Sequence, residues 1–166
     1  MDGIKFSDEK KLLKLLSGDS RLTAEKLAVM LGKEEGDIKK LIEKYERDGI
    51  IIGYRTVIDW DKTDLEYVSA LIELKVTPQK GLGFDGAAER ICKYDEVKSV
   101  FLMSGGFDLA VFIEGKTMRE VAYFVADKLA PLEYVTATAT HFMLHKYKED
   151  GMMYGPAQKD ERGNII

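Results

Sequence analysis

Cysteine, proline and tryptophan are scarce in this 166-residue chain, at one, three and one residues. A lone cysteine, Cys92, cannot close an internal disulfide. The chain is long enough to bury most of its apolar surface without a disulfide or a structural metal. It also lacks a long apolar run. The longest, around Val97 to Ile113, is interrupted by Lys98, Gly105, Gly106 and Asp108, short of the ~18 residues that a membrane-spanning helix needs. No basic, then apolar, then small-residue leader pattern opens the sequence, so the expectation is a cytoplasmic protein without membrane association. An excess of positive charge is missing too. With 25 Lys and Arg against 29 Asp and Glu, a strongly basic nucleic-acid binder is excluded, and any polyanion must be met by a local cationic face. What is present is 45% hydrophobic and 33% charged, the balance of one ordinary globular domain or two small ones.

The first sixty residues carry helical periodicity. Ser7 is placed to cap a helix bearing Leu12, Leu13, Leu15 and Leu16, which runs out near Ser17-Gly18-Asp19. Thr23 caps a second, with Leu22 stapling its entry and Ala24, Leu27, Ala28 and Leu31 on one face, broken by Gly32. A third spans Lys33 to Asp48, with Ile38, Leu41, Ile42 and Tyr45 on its apolar side and Gly49 at its left-handed cap. Ile50-Ile51-Ile52, Gly53 and Tyr54 to Ile58 are β-branched and aromatic residues about a glycine, and predict a small hairpin beside the helices. The polar stretch Asp59 to Asp64 marks the boundary, so residues 1–60 form one domain.

Residues 61–148 follow a different period. A strand is expected over Tyr67 to Val76, a loop over Pro78 to Gly83, a helix over Asp85 to Tyr94 and a strand over Val97 to Met103. Ser104-Gly105-Gly106-Phe107 reverses the chain into a third strand, Leu109 to Ile113. Thr117-Met118-Arg119-Glu120 is a capping box opening a helix with Val121, Phe124, Val125 and Leu129 inward, ended by Pro131. Tyr134 to Tyr147 is the last strand. The order βαββαβ predicts a ferredoxin-like antiparallel sheet with both helices on one face, and so an α+β protein. The uncovered face then calls for a second subunit. Residues 149–166 read as a mobile tail.

A three-helix head with a wing followed by a βαββαβ module resembles the Lrp/AsnC (feast/famine) family of bacterial and archaeal transcription regulators. Gly49-Ile50-Ile51-Ile52-Gly53-Tyr54 is similar to the family's wing, Asp95-Glu96-Val97 to its turn into the second strand, and Ser104-Gly105-Gly106-Phe107-Asp108 to its effector loop. Leu129-Ala130-Pro131-Leu132-Glu133-Tyr134-Val135, with Thr138 and Thr140, is similar to its last helix and final strand. The resemblance covers roughly residues 5 to 148. It implies a winged helix-turn-helix that binds double-stranded DNA, and a C-terminal domain that dimerises and senses a small effector, usually an amino acid. The resemblance implies homodimers and leaves open whether these assemble further into octamers.

In a helix-turn-helix the second helix lies in the major groove, its first residues at base edges and flanking cations on phosphates. That helix here supplies Lys33, Lys39, Lys40, Lys44 and Arg47, with Arg21, Thr23 and Arg55 as further phosphate contacts. Glu34, Glu35 and Asp37 sit at the end entering the groove, and Leu41 stands where the family often carries an arginine. For the effector, the resemblance points to Met103, Ser104, Gly105, Gly106 and Asp108, with Thr138, Thr140, His141 and Phe142 on the last strand. Glycine amides approach a ligand closely and a carboxylate accepts from an ammonium group. The competing bland readings are a solvated lysine–glutamate helix face and an ordinary Gly-Gly hairpin with an Asx-type bond. The alternative function is an effector-sensing assembly module with weak or lost DNA binding.

Three further patterns do not carry chemistry. Gly81-Leu82-Gly83-Phe84-Asp85-Gly86 satisfies G-x-G-x-x-G, but the module is too short for a dinucleotide fold. His141 and His145 lie about 13 Å apart if both are in one strand, too far to share a metal. Ser104, Asp108 and His141 have the types of a catalytic triad without a nucleophile elbow. Neither an enzyme nor a cofactor is predicted. Cys92 is expected to be a small packing residue, and Met152-Met153 to be incidental.

Overall fold

The structure is a computed structural model that describes residues 6–78 and 83–155. The chain divides into two units between Val57 and Ile58, three residues before the expected boundary. The first unit holds α1 (Phe6–Gly18), α2 (Ala24–Leu31) and α3 (Glu35–Arg47). Their apolar faces meet in a core of Leu12, Leu16, Leu27, Ala28, Ile38, Leu41 and Tyr45. Thr23 caps α2 as expected, its hydroxyl accepting from the Lys26 amide at 3.3 Å. Gly32 ends α2 with φ 63, a left-handed conformation in which a side chain would be strained. Gly32, Lys33 and Glu34 then form the turn into α3.

Two expectations for this unit change. Because α1 already begins at Phe6, Ser7 lies inside the helix and is not its cap. The hairpin over Ile50–Ile58 does not form as paired strands. The amides of Ile50 and Ile51 both donate to the Tyr45 carbonyl, at 2.8 and 3.0 Å. They satisfy the open end of α3 and are lost to strand pairing, while Tyr54 reaches back to donate to Glu46 at 2.8 Å.

The second unit is built on a four-stranded antiparallel sheet: β1 (Val68–Val76), β2 (Val97–Leu102), β3 (Leu109–Gly115) and β4 (Val135–Phe142), in the spatial order β2-β3-β1-β4. This is the ferredoxin-like order. Alternation sends Ala70, Ile72, Leu74 and Val76 of β1, with Leu109, Val111 and Ile113 of β3, to one face. There they meet Ala87 and Ile91 of α4 (Asp85–Ile91) and Val121 and Phe124 of α5 (Met118–Phe124). Thr117 caps α5, accepting from the Glu120 amide at 3.1 Å, while Glu120 accepts from the Lys116 amide at 2.7 Å. A π-helical turn, Val125–Leu129, extends α5 and carries Val125 and Leu129 into the same core. The opposite face shows Leu71, Glu73, Phe112, Phe101, Ala139 and His141, and among the described residues α4 and α5 pack on the other side.

The last strand stops five residues early, at Phe142. The Met143 amide makes a final bond to Ser69 at 2.9 Å, and the pairing ends there because β1 itself starts at Val68. The mobile tail is corrected over its described part: β5 (Lys148–Glu149) and β6 (Met152–Met153) form a two-stranded hairpin. Its turn is Asp150-Gly151, both with positive φ (48 and 83), the two-residue turn whose twist suits a hairpin. Cys92, expected to pack, is exposed just past α4. Gly81 and Leu82 of the G-x-G-x-x-G pattern lie outside the described residues.

Candidate functional site

Two groups of residues carry the functional reading, one in each unit. In α3, Ile38, Leu41 and Tyr45 turn inward. At 3.6 residues per turn, Gly36, Glu43 and Arg47 therefore lie nearly opposite the core. Leu41 belongs to the core and not to the exposed face. The two flanks of that outward ridge differ. On one flank Lys39 pairs with Glu35 at 2.6 Å, which raises the lysine pKa chiefly through that hydrogen bond, and Glu46 is occupied by Tyr54. On the other flank Asp37, Lys40 and Lys44, spaced i, i+3, i+7, form one exposed stripe with no ion pair among the described residues.

The remaining predicted DNA contacts divide. Arg47 is exposed, 3.4 Å from Asp48. Arg21 is exposed but its guanidinium grips Asp19 at 3.1 and 3.2 Å, holding the Asp19 carboxyl below its usual range. Thr23 spends its oxygen as the α2 cap. Lys33 is turned away from the surface: its ammonium meets Asp8 of α1 at 3.3 Å, and the side chain is only 19% exposed. It ties the turn to α1. Arg55 is exposed beyond α3.

In the sheet unit, Met103 to Gly106 form the exposed connection between β2 and β3, closed by the Met103 amide on the Asp108 carbonyl at 2.8 Å. Gly105 has φ 150. Asp108 reaches across to β1: its amide donates to Leu74 at 2.9 Å and its Oδ2 accepts from the Val76 amide at 2.8 Å. That amide sits where the β1–β4 register slips between Lys75 and Val76. One carboxylate oxygen thus has a structural task, satisfying a main-chain donor at an irregularity.

The strand-four residues do not converge. Thr138, Thr140 and Phe142 pair with Leu74, Ile72 and Ala70 and share their helix-side face, whereas His141 pairs with Leu71 on the open face. There His141 Nε2 lies 3.3 Å from Glu73. The structure therefore gathers the 103–108 loop, the end of β1 and Thr138, with Thr140 and Phe142 progressively farther along, and separates His141 by strand alternation. His145 is outside the strand, its Nδ1 3.7 Å from Asp61.

The linker and the C-terminal hairpin make a third cluster that sequence reasoning missed. Trp60, in a 3₁₀ turn at Trp60–Lys62, stacks on Tyr67 at 5.4 Å. Tyr67 donates to Glu114 at 2.7 Å, and Lys146 lies 5.7 Å from the Tyr67 ring centre while its ammonium meets Glu149 at 3.2 Å. Tyr154 also donates to Glu149. Burial, followed by that bond, pushes the Tyr154 pKa up to about 12. Trp60, Tyr67, Lys146 and Tyr154 line a partly open cavity of only ≈ 40 Å³, room for water-sized molecules. The signal available beforehand was Asp150-Gly151 between two short apolar or charged pairs.

The family described as the Lrp/AsnC ligand binding domain matches residues 69–153. A relative from Bacillus subtilis, the uncharacterized HTH-type transcriptional regulator YugG, is 46% identical over 155 residues, 93% of this chain and 93% of that protein. Escherichia coli AsnC superposes with a TM-score of 0.67 at 18% identity, covering 87% of this chain and 95% of the other. The transcriptional regulator NMB0573 of Neisseria meningitidis, solved as its L-Met complex, superposes at 0.69 with 24% identity, covering 87% and 92%. Both share the fold. The family match over the sheet unit, together with a near full-length relative, places this chain in the Lrp/AsnC family.

Proposed function

We propose that this protein is a sequence-specific DNA-binding transcription regulator whose C-terminal unit joins chains into homodimers and binds a small effector, an amino acid. The observation that carries the DNA half is the α2–turn–α3 pair with an exposed stripe of α3 on which Lys40 and Lys44 have no ion pair among the described residues. Free cations on a helix sized for the major groove supply phosphate attraction that the net charge of -4 cannot. Names of the relatives support the same reading. The effector half rests on the glycine loop held against β1 by Asp108, and on the L-Met complex of the Neisseria neighbour. Dimerisation rests on the open sheet face with Leu71, Phe101 and Phe112, an apolar surface that a second copy would cover. An effector acts only through different affinities for two arrangements of the assembly.

The test is a mobility-shift titration over a salt series, using duplexes from the gene's own upstream region. Lys40→Ala lowers affinity and the salt slope by about 0.9. Lys39→Ala changes both less, because Glu35 already neutralises it. Binding by wild type that is indifferent to both substitutions overturns the assignment of α3. No binding to any duplex, with heat released on amino-acid titration, supports the effector-sensing module without DNA affinity.

A further inference from the structure

The unpaired stripe on α3 begins with an acid. Asp37, Lys40 and Lys44 share one side of the helix. Asp37 is in the first turn, exposed, and has no partner among the described residues, whereas the neighbouring Glu35 is engaged by Lys39. Beside it Gly36 presents no side chain, with nothing within 4 Å of where a Cβ would stand. Given the proposed DNA binding, on which this inference rests, this is the end of the helix that approaches base edges.

A carboxylate among phosphates is repelled unless a donor receives it. In the major groove guanine offers two acceptors, thymine an acceptor and a methyl group, and adenine an acceptor beside its amino group. Cytosine alone shows a donor, its N4 amino group, with no acceptor on the same base. We infer that Asp37 is a specificity-determining residue that selects cytosine in each half-site, while Lys40 and Lys44 hold the adjoining phosphates. Gly36 leaves the space needed for that approach.

The experiment is selection of random-sequence duplexes by the full-length chain, in wild-type, Asp37→Ala and Asp37→Asn forms, followed by affinities for the enriched and unselected duplexes. Circular dichroism confirms that each variant folds. Wild type is expected to enrich a cytosine whose replacement by thymine lowers affinity about tenfold. Asp37→Ala is expected to lose that preference at that position alone, with severalfold tighter binding to unselected duplex as the repulsion goes. Asp37→Asn moves the preference toward adenine, which the amide pairs through N6 and N7. If Asp37→Ala enriches the same cytosine, or gains equally on both duplexes, the role of Asp37 is overturned while DNA binding stands. A wild type that enriches no duplex overturns the proposed function itself.

Discussion

The side-chain hydrogen bonds of residues 6–57 join near neighbours in sequence, with only the apolar core and the Lys33–Asp8 pair reaching farther among the described residues, whereas the sheet unit is tied by bonds between segments far apart. In the helical unit the caps and turns bridge three to eight positions, as from Thr23 to Lys26 and from Glu46 to Tyr54. In the sheet unit, Tyr67 and Glu114 are 47 positions apart, Thr136 and Lys75 are 61, and Ser69 and Met143 are 74. Local contacts cost little chain entropy to form, whereas distant ones require large loops to close first. The helical unit therefore depends on a small core with little redundancy. The sheet unit depends on tie points that lock its distant segments in place.

The largest expected effect breaks the smaller core. Leu27, fully buried between the helices, becomes alanine at a cost of about 2–5 kcal/mol. Hydrogen exchange in α1 to α3 should accelerate by about 1.5 to 3.5 orders of magnitude while β1 and β3 amides keep their protection. Equal acceleration in both units would erase the contrast.

A tie point gives the next effect. Asp108→Ala strands the Val76 amide in a half-buried setting, costing about 1.5–3 kcal/mol, and Asp108→Asn, which keeps an acceptor, costs less. Denaturant unfolding of the sheet unit measures both. If the two variants are equally stable, the bond at the register slip contributes nothing.

The smallest effect sharpens the comparison at the hairpin. Tyr154→Phe removes one bond to Glu149, worth about 1 kcal/mol, without disturbing the helical unit. The pH dependence is two-sided. The Tyr154 bond, ahead of Lys146, lowers the Glu149 pKa, so its contribution is present above the ordinary carboxylate range and lost as pH falls through the lowered value. Tyr154 is raised, so its contribution is full below the ordinary tyrosine range, near 10, and is lost as pH rises toward about 12. Exchange of amides in residues 148–154 should increase at both extremes in the wild type, and show no alkaline step of this origin in Tyr154→Phe.

The same division explains which expectations survived. The helices, the Thr23 cap, the Gly32 stop, the Thr117 capping box and the βαββαβ order follow from periods and caps that a few adjacent residues encode. The hairpin at Ile50 failed because two amides could serve either a strand or the end of α3, and the helix was nearer. The last strand ends sooner than its pattern suggests because its end is set by where β1 begins, 74 residues away in the chain at Val68 against Phe142. Lys33 and Lys39 look like any other surface lysine in the sequence, and only Asp8 and Glu35 distinguish them from Lys40.

By itself, then, the sequence determined the three helices, the βαββαβ order and the family to which they belong, since those depend on short-range pattern. Only the tertiary structure decided which lysines stay free, that Asp108 serves a main-chain amide, that His141 meets Glu73 on the open face, and that the C-terminal hairpin meets the linker. Each of these depends on a partner that folding brings from elsewhere, and pattern within a segment carries no record of it.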